Sequence, residues 1–274
     1  MIKGVLCSTG AIITRFNGRD PHLIPEFAEH IESDGFEIML YPSWYEGGKL
    51  EGYVDFLSGC GVYFPVLHAD KSIGELLSLG GEENAAEARR RFYINCRSGE
   101  RLGCSLMVLH LWGGPASDRD IDANIAELGL FTRIAREHGM TLTVENVVCA
   151  KRTPLEIIGM ILERYPTALF TVDTKMAEFH GELADTLACG PLFGGGHAAH
   201  MHINDYGGGL HDFTDLRVLH PGRGHVDFGP VFDRLRETGY SGYATCEATS
   251  VRQDGTIDFD SLNRSLGFIR KNLS

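Results

Sequence analysis

The chain has 274 residues, 43% hydrophobic and 23% charged, with 25 Lys+Arg against 37 Asp+Glu for a formal net charge of −12, the composition of a globular protein long enough to bury a core unaided. The negative balance argues against nucleic acid or an anionic membrane as partner, no run approaches the ~20 apolar residues of a membrane span, and the N-terminus lacks the apolar stretch of a signal peptide. The seven cysteines are odd in number and without a Cys-x-x-Cys, which suggests neither a disulfide framework nor a zinc knuckle and suits reduced thiols in a cytoplasmic protein.

Apolar strand-like runs and amphipathic helix-like runs alternate along the chain. "IKGVLCS" (2–8) reads as a strand, "PHLIPEFAEHIESDG" (21–35) as a helix and "FEIMLY" (36–41) as a second strand. "VYFPVLHAD" (62–70) and "SLMVLHLWGG" (105–114) are strands three and four. In 120–139, Ile121, Ile125, Leu128 and Ala135 share a helical face and Gly139 suits the C′ position. "MTLTVEN" (140–146) is strand five. Residues 153–166 carry a complete helix signature, with Thr153 as cap, Pro154 at N1, Glu156 at N3 and Pro166 beyond the end. "ALFTVD" (168–173) and "HMHIND" (200–205) are strands six and seven, 229–239 is a helix, and "GYATCEATS" (242–250) is strand eight. Phe259, Leu262, Leu266, Ile269 and Leu273 stripe a last helix.

Roughly eight strand–helix units of about 30 residues are the layout of a single (β/α)8 TIM barrel, taken as one domain over 1–274. An open doubly wound sheet is the alternative. It fits less well, because the first βα turn, "CSTGAI", lacks a Gly-x-Gly-x-x-Gly.

Barrel active sites lie at the C-terminal ends of the strands. Strands three to eight end at His68, His110, Glu145, Asp173, His202 and Glu247. The period of two puts Thr143 with Glu145, Thr171 with Asp173, and Thr245 with Glu247 on shared inward faces. Gathering these carboxylates without a cation would cost several kcal/mol. Two Glu, one Asp and one His form a mixed O/N set suited to one divalent metal ion, Mn2+, Mg2+, Co2+ or Zn2+. His200 reads as a layer-filling neighbour of His202. His180 and His197 read as loop or helix surface, His211 and His225 as loop residues, and His220 as the loop histidine best placed to line a site. Glu37 reads as a strand-edge charge, and Cys246 as a packing residue.

The segments "VLHADKS", "VLHLWGG", "TVEN", "TVDT", "HMHIND", "HPGRGHVDFGPVFDRL" and "GYATCEAT" resemble the xylose isomerase-like barrels, the superfamily of sugar isomerases and epimerases and of apurinic endonuclease family 2. The Gly-x-Gly-x-x-Asp-Phe stretch at 222–228 is the most specific element. The resemblance implies a metal held by Glu145, Asp173, His202 and Glu247, with His68 and His110 at positions that bind substrate or, in the endonucleases, extra metals. It also implies isomerisation or epimerisation of a small carbohydrate through an enediolate, with Glu145 and Glu247 as base and acid. His68 and His110 would hold hydroxyls and Trp112 an apolar wall, while Lys175, Arg217 and Arg223 would meet a phosphate or carboxylate. The Gly-rich loop 206–226 would act as a lid.

The sequence departs from the endonuclease pattern. Met176 stands where a His is expected, and "DLRVLHPGRG" lacks an Asp-x-His. Strand two offers only Glu37, near its start, and "YGGG" replaces the Arg that some ketose epimerases carry after strand seven. A keto-cyclitol dehydratase, an apurinic-site hydrolase and a non-catalytic metal- or sugar-binding barrel are the competing readings. A homo-oligomer stays open.

Overall fold

Eight parallel strands follow one another around a closed barrel in chain order, in a computed structural model that describes residues 2–273. The strands are β1 (Gly4–Ser8), β2 (Phe36–Met39), β3 (Val66–His68), β4 (Leu106–Leu109), β5 (Thr141–Glu145), β6 (Leu169–Asp173), β7 (Ala198–His202) and β8 (Tyr243–Cys246). Between them run α1 (Ile24–Ala28), α2 (Lys49–Gly59), α3 (Ser72–Leu79), α4 (Glu82–Leu102), α5 (Ile121–Glu137), α6 (Pro154–Arg164), α7 (Thr174–Phe179), α8 (Leu183–Ala188), α9 (Phe228–Glu237) and finally α10 (Phe259–Leu273). This is the (β/α)8 TIM barrel expected from the alternation of strand and helix patterns. Its strands are buried almost throughout, as parallel strands covered on both faces must be.

By their internal contacts the residues group into two units. One gathers the chain through Glu37, residues 60–63 and the chain from Val172 onward; the other holds Ile38–Gly59 and Phe64–Thr171. In the first unit β1 pairs with β8, with Cys7 beside Cys246, and β7 with β8, with His202 beside Thr245. In the second, β3, β4 and β5 pair in sequence and Glu145 lies beside Thr171.

The helix signature at 153–166 has its physical counterpart. The Thr153 hydroxyl accepts from the Glu156 N–H while Glu156 reaches back to the Thr153 N–H, so two otherwise orphaned donors are satisfied. Gly139 follows the end of α5 with φ +75°, a conformation that glycine adopts without steric cost.

The helix expected over 21–35 is cut to a 3-10 turn and five α-helical residues. Pro25 can sit only in a first helical turn, and beyond Ala28 the backbone finds other partners. Asn263 of α10 accepts from the Glu32 N–H and donates to the His30 carbonyl. The 21-residue α4 has no counterpart in the sequence reading. Its buried residues Ala88, Phe92 and Cys96 form a thin stripe in an otherwise charged segment.

All seven cysteines are free thiols. Burial pushes the Cys96 and Cys246 thiols up to about 12 and raises Cys7 and Cys104 well above the usual range. No helix among the described residues is long and apolar enough to cross a membrane.

Candidate active site

In the first unit, three successive strands end in polar groups. Asp173 closes β6, His202 closes β7, and Glu247 follows β8. Asp173 and His202 are fully buried and Glu247 is 8% exposed, and a ligand atom from each lies within 4.8 Å of the others. His202 Nδ1 lies 3.2 Å from Glu247 Oε2.

Asn204, two residues past β7, ties the group together. Its side-chain amide donates to Asp173 Oδ2 at 3.1 Å and to Glu247 Oε2 at 2.9 Å, and its oxygen accepts from the Glu247 N–H. Thr174 anchors Asn204 in turn, accepting its N–H and donating to its carbonyl. Asp173 Oδ1 accepts the Lys175 N–H, so this carboxylate also starts α7.

Glu37 corrects the reading of a strand-edge charge. It is fully buried on β2, with Oε2 2.8 Å from His200 Nε2, 2.9 Å from Thr245 Oγ1 and 3.2 Å from His202 Nε2. Burial pushes its carboxyl up, but the charge of His202 and the hydrogen bonds from His200 and His202 outweigh this. Glu37 is held well below the usual carboxylate range. Burial lowers the His200 imidazole, against the pull of Glu37.

The second unit carries its own cluster. His68, His110 and Glu145 present ligand atoms within 4.8 Å of one another. His110 Nε2 lies 2.8 Å and His68 Nε2 3.3 Å from Glu145 Oε2. His68 Nδ1 lies 2.9 Å from the Ala69 carbonyl, which orients its Nε2 edge toward the carboxylate. Burial pushes His110 down to about 4, against the charge of Glu145, with Lys71 and His68 adding to the fall. Beneath, Thr143 Oγ1 meets Thr171 Oγ1 at 2.7 Å, which places both hydroxyls on the interior face that the period of two assigns them.

The other expected site residues have surroundings of their own. Trp112 is fully buried and donates its indole N–H to the Val147 carbonyl. Lys175 is buried, its ammonium donating to the Leu216 carbonyl at 3.0 Å. Arg217 is 76% exposed and forks onto Asp215, two residues away. Arg223 is exposed on the loop. His180, expected at the surface, is buried between the rings of Phe179 and His211. His220 is half-buried at 2.9 Å from Ser265.

The Gly-x-Gly-x-x-Asp-Phe stretch has a structural purpose. Asp205 Oδ2 accepts the N–H groups of Gly222 and Gly224, and Oδ1 those of Tyr206 and Val226. A Cβ on Gly224 would run into the Tyr206 carbonyl and Asp205 Oδ1. Asp227 caps α9 by accepting the Gly229 N–H.

Buried carboxylates and imidazoles gathered in this way are groups that could hold a divalent cation. Asp173, His202 and Glu247 bring carboxylate oxygens and an imidazole nitrogen together out of water, a mixed O/N set of the kind divalent cations take. Sealing anions from water without a compensating charge costs several kcal/mol each, so the residues fit a metal ion.

A barrel of parallel strands with such groups at their C-terminal ends is the arrangement in which TIM-barrel proteins place their functional sites. The sequence profile of the xylose isomerase-like TIM barrel family matches residues 15–271, and the chain belongs to that family. Among solved structures, a D-tagatose 3-epimerase-like protein is similar at 19% identity, with 99% of this chain and 100% of that one covered and a TM-score of 0.70. A D-allulose 3-epimerase from Methylomonas sp., in complex with D-allulose, is similar at 17% identity, with 98% and 96% covered and a TM-score of 0.70. The IOLI protein, solved with a zinc atom bound, is similar at 17% identity, with 99% and 98% covered and a TM-score of 0.73. Comparison with curated protein sequences finds no match.

Proposed function

We propose that the chain is a metal-dependent isomerase or epimerase of a small sugar, with Glu145, Asp173, His202 and Glu247 holding one divalent cation. The observation that carries this reading is the buried Asp173–His202–Glu247 trio at the ends of three successive strands, braced by Asn204. Glu145, at the end of β5, is proposed as the fourth ligand. The names of the two epimerase neighbours and the zinc in the third agree with the reading.

When bound, the cation supplies Lewis-acid polarisation of a substrate carbonyl and a neighbouring hydroxyl. The protein's own groups do the proton transfer. One of Glu145 and Glu247 takes the proton from the carbon beside the carbonyl, and the other returns one, as an exchange of protons at carbon requires. Asn204 grips the side chain and the backbone N–H of Glu247, so this carboxylate keeps its direction while it changes charge. His110, kept neutral by its burial, can donate to or accept from a sugar hydroxyl, and the His68 ring packs edge-on beside it. Lys175 and Arg217 are already committed to Leu216 and Asp215. They and the exposed Arg223 are left out of the site, and the substrate is read as an uncharged sugar.

The test is solvent deuterium exchange. The protein, stripped and reloaded with Mn2+, Co2+, Mg2+ or Zn2+, is incubated in D2O with a panel of free and phosphorylated ketoses. Deuterium is expected at a carbon beside the carbonyl of a free ketose. Glu145→Gln and Glu247→Gln should each slow the exchange roughly 10²–10⁴-fold. No exchange with any ketose under any of the four metals overturns the reading, and loss of water from a keto-cyclitol would replace it with a dehydratase.

A further inference from the structure

His202 is held by its two edges in different ways. Its Nδ1 edge faces Glu247, and its Nε2 edge faces both oxygens of Glu37 at 3.2 Å. Glu37 comes from β2, 165 residues away in sequence, and is as fully buried as the histidine. An ionised carboxylate only accepts hydrogen bonds. The groups around Glu37 Oε2 are two imidazole nitrogens and one hydroxyl, from His200, His202 and Thr245, and each of them can donate. A carboxylate in this ring of donors favours the Nε2–H form at each imidazole; at His202 it faces that edge with both oxygens, whereas Glu247 faces Nδ1 with one oxygen that already accepts from Asn204.

The geometry points to Glu37 as a positioning residue that keeps the His202 proton on Nε2, so that the Nδ1 lone pair is turned toward Asp173 and Glu247 as a cation ligand. A histidine ligand whose second nitrogen is tied to a carboxylate is fixed in ring orientation and made a stronger donor. Without that acceptor the proton can settle on either nitrogen, and the Nδ1–H form cannot bind a cation there. His200 extends the support. Its Nε2 shares Glu37 Oε2 and lies 3.1 Å from Thr245 Oγ1, so the carboxylate cannot rotate away from His202 without breaking contacts to two further groups. Glu37 itself touches no substrate in this arrangement. The inference rests on reading His202 as a cation ligand, but the position of the proton can be measured without any metal.

The experiment compares the full-length protein with Glu37→Gln, Glu37→Asp and Thr245→Val. Imidazole 15N–1H spectra of the metal-free proteins, recorded in alkaline solution where the rings are neutral, report which nitrogen of His202 carries the proton. Zn2+ affinity is read in parallel by competition with a chelator. The native protein is expected to show His202 protonated on Nε2, and Glu37→Gln a mixture of the two forms with roughly 10–100-fold weaker Zn2+ binding. Glu37→Asp, which keeps the charge, should recover part of the affinity. Thr245→Val removes a donor from the same carboxylate while leaving the His202–Glu37 pair in place, and should leave affinity within about 3-fold. Native His202 found protonated on Nδ1, or a folded Glu37→Gln with native Zn2+ affinity, overturns the inference. A native protein that binds no divalent cation overturns the functional reading instead, and the spectra still decide where the His202 proton sits.

Discussion

Removing the Asp205 carboxylate should unfasten the loop over residues 206–226 from the barrel. Asp205 is 1% exposed, its two oxygens accept four backbone N–H groups at 2.8–3.0 Å, and its backbone pairs with Leu219 in both directions. In Asp205→Ala, the Gly222 and Gly224 amides lie at exposed residues and can turn to water, so their loss costs little. The Tyr206 and Val226 amides belong to buried residues and are left unsatisfied, at roughly 1–3 kcal/mol each, which sums to about 4 kcal/mol. In a protein of this size that corresponds to a fall in Tm of about 8–16 °C if the loop is coupled to global unfolding. If the loop instead opens on its own, amide exchange at Gly222, Gly224 and Val226 should quicken by on the order of 10²–10³-fold, since each 1.4 kcal/mol is tenfold. Asp205→Asn should be nearly as damaging, because either orientation of the new amide points an N–H at backbone N–H groups. Hydrogen exchange read by mass spectrometry, with a thermal melt alongside, decides the matter. Native protection at 222–226 together with a native Tm would refute the assignment of Asp205 as the fastening.

Asp118 should impose an acid limb on stability. Burial alone would raise its carboxyl, but hydrogen bonds from the Ala150, Arg152 and Lys151 N–H groups outweigh this and hold it below its ordinary value. A lowered folded-state pKa contributes stability that is in place above about pH 4 and is lost as pH falls through the folded value; urea melts should therefore show Asp118→Asn less stable at neutral pH but with a shallower loss in acid, and parallel curves would count against it. Gly74→Ala should be poorly tolerated, because a Cβ there would strike the His110 and Trp112 carbonyl oxygens. Moving α3 away from the exit of β4 should cost about 1–3 kcal/mol, and a native Tm would show that the helix shifts freely.

The sequence reveals this fold and part of this site for a common physical reason: both rest on short-range periodicity. The period of two that makes β5, β6 and β8 buried strands also points Thr143, Thr171 and Thr245 inward and places Glu145, Asp173 and Glu247 at the strand ends. Glu37 escapes the same logic because the groups that surround it are far away in sequence. His200, His202 and Thr245 reach it only once the barrel closes β1 against β2 and β8. The one local clue is an acidic residue set between Phe36 and Ile38 in an apolar run. Asn204 is missed for a similar reason, since its partners Asp173 and Glu247 lie on the strands to either side. Arg217 shows what spacing alone leaves out. As a bare cation near a glycine-rich loop it reads as a ligand for anions, and the structure adds that its guanidinium forks onto Asp215 two residues earlier. The shortened α1 shows what propensity alone overlooks: a side chain from the last helix, Asn263, competes for the backbone of 30–32.

The distribution of the thiols gives the molecule its own gauge of opening. Cys7, Cys96, Cys104, Cys149 and Cys246 are sealed in the interior, while Cys60 and Cys189 are partly accessible. Since the thiolate is the reactive form, enclosure and a raised pKa protect the interior sulfurs of Cys7, Cys96, Cys104 and Cys246 twice over. A coloured disulfide reagent therefore meets two native sulfhydryls at first, and every further equivalent it consumes records the barrel coming apart, without any label having been introduced.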